Sequence, residues 1–416
     1  MWPAAEPDPA ELDATLRTAV PQVLAALTRR YGDFDRCEDA AQDALLEASV
    51  QWRRRGIPEQ PAGWLITAAN RRLLDIRRSD NARRRRELND QLRTPTDQWT
   101  DLDPGRQCDD TLQLLIMCCH SALTPAAQIG LTLRAVGGLT TAEVASALLI
   151  TETTAAQRIS RAKKLIKESG GRLQLPEPAA YQDRLRVVLQ VLYLIFNEGH
   201  TASTGDQLQR LDLAAEAIRI TRMVQRAEPD NGEVAGLLAL MILTHARRDT
   251  RTAPDGDLIP AERQDRTRWH VGEIAEGTAL IQATLQHGPL GPYQLQAAIA
   301  AVHAEADSVQ STDWQQILQL YRLLATYDPS PMVTLGMAVA VAMVDGPQQA
   351  IAMVEPLSAD RQLGDHHRRL SVLGHLYRLA DDHERAVEHF RAALTRTQNA
   401  AEQGYLREQI DRLTAE

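Results

Sequence analysis

The spacing of apolar residues is the feature that most constrains the fold of this 416-residue chain. Apolar side chains recur at intervals of three and four in many segments, and the long alternation typical of β-strands is hard to find. Phe, Tyr and Trp together make up only 4% of the residues, while Ala, Leu, Gln and Arg are abundant. The sequence therefore predicts an all-α fold, and its length predicts two to four compact units.

Cysteine usage and hydropathy indicate the environment of the chain. The four cysteines have neither the paired spacing of a metal site nor the density of a disulfide scaffold: Cys37, Cys108, Cys118 and Cys119. The N-terminus MWPAAEPDPAELDA is acidic and interrupted by proline, and no run of eighteen apolar residues occurs. We therefore expect a cytoplasmic protein with no membrane segment, no metal and no cofactor.

The net charge of −9 is unevenly distributed along the chain. Residues 1–172 carry 24 basic and 23 acidic side chains, whereas residues 173–416 carry 22 and 32. Within the first part, Gln51–Arg86 holds eleven arginines against three acidic residues, and Arg36–Glu47 is mostly acidic. One surface of this part therefore suits phosphate and another does not.

The stretch Leu139–Ile166, LTTAEVASALLITETTAAQRISRAKKLI, predicts two short helices with a break between them. Thr140 and Glu143 form a capping box, and Thr151 can cap the second helix. The apolar stripe of that second helix consists of Ala155, Ile159, Ala162 and Ile166. Its other face presents donors that suit a DNA major groove: Thr154, Gln157, Arg158, Arg161 and Lys164. We favour a helix-turn-helix over an ordinary helical hairpin with a basic surface.

Two more helices are predicted upstream of this motif. The first lies around Asp39–Trp52, and its apolar stripe consists of Ala40, Ala44, Leu45 and Ala48. Four polar residues lie on its other faces: Glu38, Gln42, Asp43 and Glu47. The second follows the loop GIPEQP and has the sequence AGWLITAANRRLLDIRRSDNARRRRE. Its inward residues at helical spacing are Trp64, Leu65, Ala68 and Ile76, and arginines occupy the rest of its surface. The polar segment RTPTDQWTDLDPG, with two prolines, is typical of a linker.

In this order, the segments RCEDAAQDALLEASVQW, PAGWLITAANRRLLDIRRSDNARRRR and Leu139–Ile166 resemble an extracytoplasmic-function (ECF) sigma factor of bacterial RNA polymerase. The resemblance implies a helical bundle of sigma region 2 over residues 10–92, a linker over 93–108 and sigma region 4 over 109–172. It implies two partners, promoter DNA and core RNA polymerase. The polymerase contacts would be the clamp helices of the largest subunit and the flap of the second-largest subunit.

The same resemblance assigns roles to individual residues. Polymerase binding is assigned to Asp39, Gln42, Asp43 and Glu47. The loop Arg55–Gly63 would read the minus-ten element, and the melted strand would be supported by Trp64, Asn70, Arg71 and Arg78. Gln157, Arg158 and Arg161 would read the minus-thirty-five element. Cationic grooves and aromatic side chains are suited to binding unpaired bases, and the arginines beside Trp64 could supply both. The position of Trp64 on the apolar stripe nevertheless favours a role for this side chain in the core.

The C-terminal part carries a repeat pattern. LSVLGHLYRLADDHERAVEHFRAAL matches the tetratricopeptide (TPR) pattern at Leu370, Leu373, Gly374, Tyr377, Ala386, Phe390 and Ala393. Weaker copies upstream, such as Ile317, Tyr321 and Leu324, extend the pattern to an expected three to five helical pairs. We therefore predict a TPR-like helical solenoid over residues 173–416, which binds a protein partner or braces the chain.

An enzymatic alternative arises at LYLIFNEGHTASTGDQ, where Glu198 and His200 could form an acid-base or metal pair. No second histidine stands at ligand spacing and no HExxH motif occurs, so a helix end followed by a turn is favoured. We expect no enzyme. The segment also resembles one that follows region 4 in the ECF subgroup with a TPR-like extension.

One further alternative is a helix-turn-helix regulator that binds DNA without polymerase and senses a signal through its C-terminal domain. It leaves the acidic and basic helices unexplained. Under the sigma-factor interpretation, the acidic C-terminal domain either masks the arginines of Gln51–Arg86 or adds a contact with polymerase. If it masks them, truncation after Arg172 should raise promoter output.

Overall fold

The computed structural model describes residues 8–87, 104–148, 150–168, 178–254, 256–285, 289–360 and 363–415. These residues form eighteen α-helices, four short 3-10 helices and two strands of two residues each, so the all-α prediction is confirmed. The chain divides into two compact units, Met1–Leu192 and Tyr193–Glu416, which we call unit 1 and unit 2. The predicted boundary near residue 173 and most of the predicted linker lie outside the described residues.

Unit 1 contains seven helices and the first part of an eighth within the described ranges. They are α1 Pro9–Tyr31, α2 Phe34–Arg55, α3 Pro61–Glu87, α4 Pro104–Cys118, α5 Pro125–Ala135, α6 Thr141–Ala147, α7 Glu152–Glu168 and α8 Pro178–His200. Helix α8 continues across the division into unit 2.

Helices α1, α2 and α3 pack together through small and aliphatic side chains. On α2, Ala40, Ala44 and Ala48 are buried, and Trp52 is the large side chain at the end of the stripe. Alanines let neighbouring helices approach closely, and the apolar area they enclose is the main source of stability here. Helix α2 ends at Gly56, whose φ of +82° is accessible to glycine without strain.

The helix-turn-helix is built by α5, α6 and α7. The backbone N–H of Thr140 donates to Glu143 Oε2 at 2.7 Å, and the N–H of Glu143 donates to Thr140 Oγ1 at 3.1 Å. The predicted capping box is therefore confirmed. Thr151 Oγ1 accepts from the N–H of Thr154 at 3.2 Å, which starts α7 where the sequence predicts it.

Unit 2 continues with helices that each pack on the next in chain order. They are α9 Leu211–Ala227, α10 Gly232–His245, α11 Val271–Leu285, α12 Pro292–Glu305, α13 Trp314–Tyr327, α14 Pro331–Val344, α15 Pro347–Val354, α16 His367–Leu379, α17 His383–Leu394 and α18 Ala400–Ala415. The 3-10 helices are Arg248–Thr250, Ala261–Arg263, Arg266–Arg268 and Glu355–Ala359.

Helices α16 and α17 form the helical pair expected from the repeat pattern. The larger residues of the pattern are buried, and a Cβ added at Gly374 would lie 2.6 Å from the ring of Phe390. The glycine therefore permits the close approach of the two helices. Membership of the TPR class stays a prediction.

Two short strands, β1 Thr204–Gly205 and β2 Gln398–Asn399, pair in parallel. The buried side chain of Asn399 reinforces the pair, because its Nδ2 donates to the carbonyls of Ala202 and Gln207, each at 3.0 Å. The start of unit 2 is thereby bonded to a segment near its end. No strands are predicted from the sequence, because pairs this short leave no periodic signal.

Candidate nucleic-acid and polymerase interface

Helix α7 divides into a buried stripe and an exposed face, as its sequence predicts. Ala155, Ile159, Ala162 and Ile166 are all buried against the rest of the motif. Of the predicted DNA-facing residues, Arg158 is half-buried and the others are exposed: Thr154, Gln157, Arg161 and Lys164. The face therefore presents an amide, a hydroxyl and three cations to the surface, a combination that can bond base edges and phosphates.

The predicted polymerase-binding residues lie on α2. Asp39, Asp43 and Glu47 are exposed, and half-buried Gln42 donates through Nε2 to Glu38 Oε1 at 3.2 Å. Two apolar side chains accompany them, because Leu46 is 67% exposed and Val50 is 58% exposed. Helical spacing places Leu46 and Val50 on the same face as Asp39 and Asp43. We call this set, Asp39, Asp43, Leu46, Glu47 and Val50, the acidic-apolar face of α2.

Asp39 lies close to other carboxylates. The pKa of Asp39 is raised from its ordinary value, mainly by partial burial and then by the neighbouring carboxylates, Glu38 foremost. Crowded like charges of this kind destabilise a fold by their repulsion. The face therefore combines exposed carboxylates with two exposed apolar side chains.

The predicted melting residues lie on α3 in different environments. Trp64 is half-buried and packs edge-on against Trp52, with ring centroids 5.5 Å apart. Asn70 is only 8% exposed, and its Oδ1 accepts a hydrogen bond from the hydroxyl of Tyr31. Arg71 is exposed, whereas the side chain of Arg78 lies outside the described part of the chain. In this structure, therefore, only Arg71 of the four presents a described side chain that is fully on the surface.

Glu38 is buried, contrary to the prediction from the helical pattern. The helical pattern placed it off the apolar stripe, but it is only 6% exposed. Arg134 of α5 donates from Nε to Glu38 Oε1 at 2.8 Å, and Lys163 of α7 forms an ion pair with Glu38 Oε2. Its two cationic partners lie 96 and 125 residues further along the chain, and the local period cannot reveal them.

This cluster, Glu38 with Arg134 and Lys163, joins α2 to the helix-turn-helix. Arg134 also donates from Nη1 to the carbonyl of Leu139 at 2.8 Å, which holds the turn before α6. Two further contacts follow the same line: Lys163 Nζ lies 3.7 Å from Asp35 Oδ1, and Lys167 Nζ lies 3.8 Å from Asp33 Oδ2. Lys163 and Lys167 are four residues apart on a flank of α7, so the contact leaves four of the five predicted DNA-facing residues exposed.

Glu198 and His200, the pair considered for an enzyme, have separate structural partners in unit 2. Glu198 Oε1 accepts from the backbone N–H and the hydroxyl of Ser203, at 3.0 and 3.2 Å. Arg251 donates to the carbonyl of His200 and lies 3.2 Å from its Nδ1. Burial first, then Arg251, holds the pKa of His200 well below its usual value. Glu198 therefore caps a turn, and His200 is held neutral beside an arginine.

Metal ligands and membrane-spanning helices were considered for the residues that the structure describes. No group of three or more His, Cys, Asp or Glu side chains is arranged to hold a metal ion. No helix among those residues is long and apolar enough to cross a membrane.

The helix-turn-helix of this chain is similar to a known family. Residues 113–166 match the family model of sigma-70 region 4, a span that begins in α4 and ends in α7. The match supports a member of the sigma-70 family, with region 4 as its helix-turn-helix. Residues 184–285 match a family of unknown function, DUF6596.

A whole-chain relative is also known. The chain is 39% identical over 412 residues to an uncharacterized protein of Rhizobium meliloti (strain 1021). The aligned residues make up 97% of this chain and 96% of that protein. This chain belongs to the family of that protein.

Proposed function

We propose that this protein is an alternative sigma factor of the ECF type, which binds core RNA polymerase and directs it to a promoter. In this proposal the chain is not an enzyme, acts in the cytoplasm and uses its TPR-like C-terminal domain for regulation or partner binding. The observation that carries the proposal is the exposed donor face of α7 within a segment that matches sigma-70 region 4.

The acidic-apolar face of α2 supports the polymerase contact. Leu46 and Val50 stand exposed among Asp39, Asp43 and Glu47, although water is a poor environment for both apolar side chains. A basic groove with an apolar floor on the polymerase clamp would cover the aliphatic side chains and pair with the carboxylates. Duplex DNA would be repelled by the same carboxylates, so this face favours a sigma factor over a regulator that needs only DNA.

The proposed mechanism requires α2 and α7 to separate. A sigma factor must place regions 2 and 4 on two promoter elements, whereas the Glu38 cluster holds α2 and α7 together. We infer that polymerase binding replaces these contacts and that the closed arrangement is a resting state. Such a population shift needs only a partner that prefers the open arrangement.

Polymerase binding tests the proposal directly. We expect Leu46→Asp, in the full-length chain, to weaken binding to core polymerase at least tenfold, because it buries a charge at the centre of the contact. The matched control is Leu211→Asp on α9, where a leucine of 43% exposure lies outside the acidic-apolar face. It should bind like the wild type.

Two results would contradict the proposal. Equal binding by wild type and Leu46→Asp would remove α2 from the interface. A wild-type chain that shifts duplex DNA but does not bind core polymerase would favour the polymerase-independent regulator.

A further inference from the structure

A cavity of about 420 Å³ lies inside unit 2 between α10, α12, α13 and α14. Its polar lining includes Arg247, Arg266 and His303, and its aromatic walls include Trp269, Trp314 and Tyr321. We call it the arginine cavity. Its volume falls within the range of small-molecule sites, roughly 300–1,000 Å³. No carboxylate is found among the described residues that line it.

Arg247 is the unusual member of this lining. Its Nε is closed off from solvent and has no hydrogen-bond partner among the described residues. Arg247 as a whole is partly buried, and no ion pair of it occurs in those ranges either, although a cation withdrawn from solvent is normally paired. Burial, and then the neighbouring Arg266, lowers the pKa of Arg247. A charge in this position costs stability unless an anion joins it.

The other basic residues of the cavity do not supply the negative charge that Arg247 lacks. Arg266 donates from Nη1 to the carbonyls of His303 and Ala306, at 2.8 and 2.7 Å, and its guanidinium lies 4.9 Å from the ring centroid of Trp269. Its donors are thus partly satisfied by neutral carbonyls, which leave its positive charge in place. His303 is kept neutral, because burial and the two arginines lower its pKa to about 4.

The apolar walls indicate the rest of the ligand. Trp269 is buried, and the ring of Trp314 packs edge-on against His303 with centroids 5.2 Å apart. Tyr321 closes one side above Gly336, where an added Cβ would lie 2.6 Å from the tyrosine hydroxyl. Flat apolar groups pack well on such walls, whereas a bare inorganic ion would leave them in contact with water.

We propose that the arginine cavity binds a small organic anion with a flat apolar body, whose acidic group pairs with Arg247. The inference rests on contacts within unit 2 and does not depend on the proposed function, since binding is measured with the full-length chain alone. If both hold, the ligand is the signal that the C-terminal domain reads.

Calorimetry with matched probes tests the proposal. Indole-3-acetate and indole-3-acetamide share one body and differ by one negative charge. We expect indole-3-acetate to bind with a dissociation constant below about 1 mM and at least tenfold more tightly than the amide. Inorganic phosphate, which has charge without the body, should bind more weakly than indole-3-acetate.

The variant Arg247→Met separates binding from folding. It should abolish the preference for the anion. It should also raise the midpoint of thermal unfolding by about 2–4 °C, because it removes an unpaired, partly buried charge. A purely structural arginine would lower the midpoint instead. The matched control, Arg226→Met on the exposed surface of α9, should change neither property.

Several results would overturn the proposal. They are no binding of indole-3-acetate at about 1 mM, equal affinity for acid and amide, or an unchanged preference in Arg247→Met. Phosphate binding as tight as that of indole-3-acetate would overturn the assignment of an apolar body.

Discussion

At the scale of single residues, Glu38 and His303 show how burial determines what a charged group does. Glu38 is buried with two cations and holds its helices together. His303 is partly buried beside two cations and stays neutral. The difference lies in the charge that each group itself would carry, because two cations stabilise the negative carboxylate of Glu38 and oppose a positive charge on His303.

The Glu38 cluster predicts a large effect of a small change. Glu38→Gln should lower the free energy of unfolding of unit 1 by about 3 kcal/mol, because it removes the carboxylate that pairs with Arg134 and leaves Lys163 with only the more distant Asp35. The control Asp43→Asn, also on α2, breaks an exposed pair with Arg72 (2.7 Å) and should cost less than about 1 kcal/mol. Urea unfolding measures both values. Equal small losses would show that the cluster does not hold α2 to α7.

His303 predicts a dependence of stability on pH. Its folded pKa of about 4 lies below the ordinary value of 6.5, so the unfolded chain takes up a proton first as the pH falls. The low pKa of this histidine therefore does not change the free energy of unfolding above about pH 6.5. Between about pH 6.5 and 4 it lowers the free energy of unfolding progressively. Relative to His303→Gln, the wild type should lose about 1–2 kcal/mol more between pH 7 and 5. Urea midpoints at the two pH values test this, and parallel losses in both proteins would contradict it.

At the scale of elements, helix pairing depends on a few close contacts. Gly374→Ala would place a Cβ 2.6 Å from the ring of Phe390 and should destabilise unit 2 by about 1–3 kcal/mol. The control Gly272→Ala in α11 meets nothing within 4 Å and should stabilise by up to about 1 kcal/mol, as alanine favours helix. Thermal unfolding compares the two variants. Losses of the same size would show that α16 and α17 do not approach so closely.

The sequence predicted elements better than the contacts between them. The stripe of α7 and its caps were predicted because both are properties of consecutive residues, read by helical period and hydrogen-bonding type. Glu38 was misplaced because its partners come from α5 and α7. Leu46 and Val50 were missed because an outward apolar residue is evident only once the buried side of α2 is known. The arginine cavity is likewise assembled by four helices and the segment between α10 and α11, and none of these elements signals it alone.

At the scale of the whole molecule, the division at Leu192 changes where the chain should be cut. Arg184 of α8 lies within unit 1 and donates from Nη1 to the carbonyl of Cys119 at 3.3 Å. Truncation after Arg172, which the sequence suggested as a test of masking, would therefore remove part of unit 1. The full-length chain is the sounder material for a test of function.

Run-off transcription tests the central claim, that this chain directs polymerase to a promoter. The assay combines core polymerase, the full-length chain and DNA fragments from beside its own gene. We expect specific transcripts with the wild type and none with the double variant Asp39→Lys/Asp43→Lys, whose two cations would oppose docking through the acidic-apolar face.

The control Asp183→Lys/Asp212→Lys makes the same charge change at two exposed positions outside that face and should transcribe like the wild type. Transcripts that depend on Asp39 and Asp43 would establish a sigma factor that docks through α2. Transcripts unaffected by the double variant would contradict that docking, and the absence of any transcript from a chain that still binds duplex DNA would contradict the sigma-factor account itself.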